Sequence, residues 1–191
     1  DVRDVSRLMD EADTDRASEE DGGHVGRLNR LPADEARAVL LDCCGSARWA
    51  REVAALRPFR NAGELLDAGA RVWFGLDQED WLEAFRSHPR IGERKAAARV
   101  SEDARRWSEG EQSRARAASD ETKAALAGAN REYEERFGFI YIVCATGKDA
   151  AEMLANLRDR LKNDRETELR VAAAEQWRIT ELRVRKFLNA P

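Results

Sequence analysis

Apolar side chains recur along most of this chain at intervals of three and four residues, the repeat that lines one face of an α-helix. Leu31-Pro32 opens the first such run, since proline suits a first helical position; Ala36, Val39, Leu40 and Cys43 then share a face before Gly45 stops it. Ser46 can cap a second helix through Trp49, Val53 and Leu56, which Pro58 closes. Asn61 with Glu64 three residues on reads as a capping box, leading into Leu65, Leu66, Val72 and Trp73 and ending near Gly75. Asp77 then starts a short helix striped by Trp81, Leu82 and Phe85. Pro89 pushes the residue before it out of the helical region, which makes His88 the predicted last residue.

In the second half, Ser108-Glu109-Gly110-Glu111 places Ser and Glu three apart ahead of an Ala-rich run, a second capping-box pattern. Leu126, Asn130, Tyr133 and Phe137 mark the next helix, with Asn130 and Tyr133 read as core and interhelical hydrogen bonding. Phe139-Ile140-Tyr141-Ile142-Val143 is the one β-like run, and a lone strand cannot make a sheet, so residues 139–145 are predicted to form a buried extended connector. Two helices follow, one carrying Met153, Leu154, Leu157 and Leu161, the other Leu169, Ala173, Gln176, Ile179, Arg183 and Phe187 on one side. The expected fold class is all-α, an irregular single-domain helical bundle.

Composition agrees with that class: the 191 residues are rich in Ala, Leu, Arg and Glu, contain only four Pro, and suffice for one domain with its own core. Residues 1–24 differ, with nine acidic side chains against three arginines. Residues 1–26 are accordingly expected to be an acidic, flexible tail and residues 27–191 the domain. The tail's net charge of −6, against −4 for the whole chain, leaves the remainder at +2, which does not suggest a nucleic-acid surface. Three cysteines, two of them the adjacent Cys43 and Cys44, make neither a disulfide framework nor a Cys-x-x-Cys zinc site, and point to a reducing cytoplasm. The longest apolar stretch, between Arg136 and Lys148, is too short to span a bilayer, and the charged N-terminus is not a secretory signal.

Of two histidines His24 lies in the tail, so imidazole acid/base work in the domain falls to His88. At a helix C-terminus the macrodipole would favour its protonated form, and the same position also suits a residue that merely caps carbonyls. Glu111 is equally well explained as the closing member of a capping box. Functionally, the Ser108 to Gln112 segment would offer free N–H groups at a helix start to an anionic, urea-bearing ligand. Arg183, between Ile179 and Phe187, either snorkels past them or points inward to hold a carboxylate.

Four segments in order, His88-Pro89-Arg90-Ile91-Gly92, Ser108-Glu109-Gly110-Glu111-Gln112, Asn130-Arg131-Glu132-Tyr133 and Phe137 to Ala145, resemble the OHCU (2-oxo-4-hydroxy-4-carboxy-5-ureidoimidazoline) decarboxylase family. Gly147-Lys148, Arg160-Leu161-Lys162-Asn163, Glu168-Leu169 and Ile179 to Arg183 continue the similarity, which covers about residues 28–188. The resemblance implies an all-α, metal-free and cofactor-free enzyme that releases carbon dioxide from OHCU to give (S)-allantoin in urate degradation, and a possible homodimer. It also implies roles: His88 as proton donor, Glu111 assisting it, and Arg183, chosen over Arg185, gripping the substrate. Pro89, Ser108, Glu109, Gly110, Glu111 and Gln112, with Phe139, Ile140, Tyr141, Ile142 and Val143, would line the substrate site. The rival from another class is a non-catalytic helical regulatory or protein-binding module, in which these side chains would have no reason to converge.

Overall fold

A computed structural model describes residues 25–91, 101–111 and 118–190; residues 1–24 of the tail, residues 92–100 and Gln112 lie outside the described residues. Nine helices are seen there: α1 (25–30), α2 (Ala33–Cys44), α3 (Ala47–Ala55), α4 (Ala62–Gly75), α5 (Gln78–Arg86), α6 (Glu102–Glu111), α7 (Asp120–Phe137), α8 (Ala150–Arg160) and α9 (Arg165–Leu188). The described residues contain no strand, so the all-α expectation holds. None of these helices is long and apolar enough to cross a membrane.

Local stop and start signals decide most boundaries. Gly45 ends α2 in the left-handed conformation, with φ at +88°. Ser46 caps α3 by accepting from Trp49 N, and Asn61 caps α4 by accepting from Glu64 N. The Asn61 box is only half formed, because the Glu64 carboxylate reaches back to Arg60 N. A complete box stands instead at Asp149 and Glu152, heading α8. His88 falls just beyond α5, its N–H bonded to Phe85 O, so the helix closes at Arg86 under a Ser87 C-cap.

The Ser108 capping box is corrected. Ser101 takes the cap position, accepting from Ala104 N, and α6 is already under way when the chain reaches Ser108. A Ser-x-x-Glu pattern caps only where no helix precedes it, and here buried Ala104 and core-packed Trp107 anchor an earlier start. Positions 108–111 therefore lie within α6 and not at its start, and their N–H groups belong to the helix ladder.

The 24-residue α9, about 36 Å long, is the axis of the bundle. It packs against α2, α4 and α5, while α2 packs on α3 and α7 on α8. Aromatic N–H groups tie the layers together: Trp73 donates to Ala173 O of α9, and Trp49 to Gly69 O of α4. Phe139, Tyr141, Ile142 and Val143 are buried and Ile140 half-buried, in an extended segment as expected.

Beneath that connector lies a buried ion pair. Arg160 binds Glu168 Oε1 at 2.6 Å, donates to Ile142 O at 2.7 Å, and lies over the Tyr133 and Tyr141 rings. Tyr133 donates its hydroxyl to Glu168 Oε1, and Asn163 donates to Oε2. Asn130 bonds within its own helix, to Leu126 O, not across helices. Removing one member of such a pair leaves a buried charge unmatched, so Glu168→Ala should destabilise the fold by about 3–5 kcal/mol. Glu166→Ala, which loses only the exposed Arg170 partner, should shift the urea midpoint by less than about 1 kcal/mol equivalent. Equal midpoints for the two variants would remove the ion pair from the core's support.

Candidate active site

The end of α5 is brought against the end of α2 by Gly45. A β-carbon there would lie 2.2 Å from Ser87 Oγ, so only glycine lets the two chain segments approach, independently of its left-handed backbone. His88 is thereby set against α9, where its Nε2 lies 2.7 Å from Gln176 Oε1. The Gln176 amide nitrogen donates in turn to Cys44 O and to Thr180 Oγ1, both at 3.2 Å. Gln176 and Thr180 are fully buried.

Arg183, seven residues after Gln176 on the same face, is only 3 % exposed. Of the two orientations open to it, the structure shows the inward one. Arg185 points out and pairs with Glu181 on the surface. The Arg183 guanidinium acts electrostatically on the His88 ring and on the Cys43 and Cys44 thiols, so it lies in their neighbourhood.

Burial of the ring, and next the positive charge of Arg183, hold the His88 pKa down to about 3, against a smaller upward pull from Gln176. The expectation that a helix C-terminus would favour imidazolium is corrected: desolvation and a neighbouring cation both penalise the charged ring and outweigh the end-of-helix carbonyls. Burial likewise pushes the Cys44 thiol up to about 12 and the Cys43 thiol above the usual range. Both are protonated neighbours, not nucleophiles.

The chain just after His88 and the apolar connector are both braced. Arg90 forms a two-pronged bond with Glu134 of α7 just after half-buried Pro89. The connector is held by Arg160 on Ile142 O, by Glu175 accepting from Cys144 N, and by Tyr141 donating to Asn156 Oδ1. Glu109 and Gly110 are exposed in the last turn of α6, Ser108 and Glu111 occupy backbone positions in that turn, and Gln112 lies outside the described residues. The structure thus brings Arg183 within electrostatic reach of His88, while the side chains of Ser108 and Glu111 lie outside the described residues. Among the described residues no cluster of three or more His, Cys, Asp and Glu is arranged for a metal.

Gln176 was legible only as one member of the α9 stripe. The signal that could have singled it out is a fully polar side chain on an apolar face, two turns before Arg183.

These features define a class: an all-helical bundle in which a neutral imidazole, bonded to the central helix, lies near one buried guanidinium while a second, ion-paired one braces an apolar connector. Residues 29–185 match the OHCU decarboxylase family, and the chain belongs to it. It is 40 % identical over 149 residues to the uric acid degradation bifunctional protein TTL of Arabidopsis thaliana, covering 77 % of this chain and 45 % of that protein. It is 31 % identical over 158 residues to the bifunctional protein PucL of Bacillus subtilis, covering 79 % and 31 % respectively, so it spans less than half of either relative. Its fold matches the crystal structure of an OHCU decarboxylase in the presence of (S)-allantoin with a TM-score of 0.68, 37 % identity, and coverage of 78 % of this chain and 96 % of that one.

The depressed His88 pKa has a stability consequence. Between pH 6.5 and about 3 the unfolded chain binds a proton at this ring that the folded chain refuses. Stability from this group is complete above pH 6.5 and falls as pH drops through that window. Urea midpoints from pH 7 to about pH 4 should therefore fall more steeply for the wild type than for His88→Asn. Parallel curves would mean that the proton is taken up elsewhere.

Proposed function

We propose that this chain decarboxylates OHCU to (S)-allantoin and carbon dioxide in urate degradation, without a metal or organic cofactor. The observation that carries the reading is a neutral histidine beside a buried guanidinium, in a chain of this family. A compact anion with one carboxylate and a proton to relocate is the substrate chemistry this pair suits.

Arg183 binds the substrate carboxylate as a planar two-point donor in a desolvated setting. Bound anion then screens the charge that holds down the His88 pKa, and the ring becomes a stronger base when substrate is present. As the carboxylate leaves as carbon dioxide, its bonding electrons move into the adjacent ring carbon–nitrogen double bond, whose nitrogen takes one proton from solvent. The substrate supplies its own electron sink. His88 accepts the proton of the hydroxyl group as the carbonyl forms and returns it to the ureido-bearing carbon, on one face only, so the ring ends as it began. Glu111, with Ser108, Glu109, Gly110 and Gln112, completes the substrate site that the family resemblance implies, together with Pro89 and the connector Phe139 to Val143. With three buried cysteines and no disulfide the protein suits the reducing cytoplasm, and the family resemblance implies a homodimer as its assembly.

Metal-stripped protein mixed with OHCU freshly generated from urate should consume it and give allantoin of one optical sign. Racemic product formed at the enzyme-free rate would return the chain to the binding-module reading. General acid/base catalysis contributes on the order of 10²- to 10⁴-fold, so His88→Ala should lose that much turnover with its helical circular dichroism intact. Arg183→Lys keeps the charge but not the planar fork, and should raise KM more than it lowers kcat. Unchanged kinetics would move the carboxylate grip to another arginine.

A further inference from the structure

The amide of Gln176 is oriented without ambiguity. Its nitrogen has two hydrogens and two acceptors waiting for them, Cys44 O of α2 and Thr180 Oγ1 one helical turn along α9. Thr180 spends its own hydrogen on Gln176 O, 3.0 Å away, and so meets the amide nitrogen with a lone pair. The Oε1 end is left facing His88 Nε2 at 2.7 Å. An amide oxygen carries no proton, so the proton in that contact belongs to the imidazole.

From this geometry we infer that Gln176 is a positioning residue: it locks His88 as the Nε2–H tautomer and leaves Nδ1 as the bare nitrogen that works on the substrate. The inference rests on the decarboxylase reading for its catalytic part. It sets the order of events there, because His88 enters the cycle with nothing to donate at Nδ1. The ring must accept the hydroxyl proton first and return it second, and the proton donor of the second step is made by the first.

The partner's chemistry matters as much as its position. A carboxylate in the place of Gln176 would also accept from Nε2 but would stabilise imidazolium, whereas a neutral amide orients the ring without charging it. The ionisable groups around the pair are Arg183 on α9 and the Cys43 and Cys44 thiols of α2, with Asp42 and Glu83 acting on those thiols.

The test combines ring nitrogen NMR, read without substrate, with kinetics. In wild-type protein the His88 ring, assigned by its loss in His88→Ala, should show a protonated Nε2 and a bare Nδ1 with no titration between about pH 5 and 8. Gln176→Met fills the same volume without an acceptor. It should blur that tautomer pattern and lower kcat roughly 10- to 100-fold with KM little changed. Gln176→Glu restores the acceptor with a charge, so its His88 should titrate between pH 5 and 8, the acid limb of kcat should move up by about one unit or more, and activity above that limb should exceed that of the Met variant. A folded Gln176→Met variant with unaltered tautomer and unaltered kcat would overturn the inference, as would an acid limb that stays put in Gln176→Glu. A wild-type protein inactive on OHCU would overturn the reaction assigned above, while the nitrogen pattern would still decide the tautomer lock by itself.

Discussion

The buried pairing of Arg160 with Glu168 is the contact on which the rest of this structure hangs. It joins the end of α8 to the first turns of α9, and through Tyr133, Asn163 and the Ile142 carbonyl it also holds α7, the α8–α9 turn and the connector. A buried ion pair recovers little net stability once desolvation is counted, and apolar residues of similar volume often do as well. What distinguishes this one is its number of directional partners, which fix the rotation of α9 about its axis. Glu168 stands eight residues, about 12 Å, before Gln176. A helix turned by the ion pair toward the connector is turned, two turns later, to place Gln176 and Arg183 where His88 ends α5.

At that second point the energetics reverse. Glu168 is satisfied by a full complement of donors, while His88 is kept without charge. Four influences compete there: the carbonyl end of α5 and the Gln176 oxygen favour imidazolium, whereas burial and Arg183 oppose it. Near the surface a helix end contributes about 0.3–1 kcal/mol, and desolvation with a cation at hand outweighs it. The cation that prevents protonation is also the group suited to hold an anionic ligand, so binding relaxes the restraint at the moment a base is wanted.

How much of this could be read from the chain depends on how local each determinant is. Gly45, Ser46, Asn61 and Asp77 act within one turn, and helices begin or stop within a residue or two of each. The connector was legible because five consecutive β-like residues with no partner strand leave few options. Ser108 misled because Ser-x-x-Glu is ambiguous when an upstream Ser, here Ser101, can start the helix first. Arg183 was undecidable from spacing alone, since a long side chain can turn either way until the cavity it faces is known. The Gln176 to Cys44 bond spans 132 residues of chain. Nothing in either segment announces it, and the choice of tautomer at His88 follows from that bond.

The use of an amide, not an acid, behind the histidine follows from the charge the site has to receive. A carboxylate at position 176 would repel a substrate carboxylate in a low-dielectric interior, where such repulsion is weakly screened. It would also make imidazolium the resting state, so that the ring could give a proton before it had taken one. Gln176 avoids both: it adds no charge beside Arg183, and the imidazole waits as a base. The lock depends on Cys44 and Thr180 holding the amide nitrogen. The adjacent ends of α2 and α5, brought together at Gly45, are therefore part of the acid/base apparatus although no side chain of α2 performs chemistry.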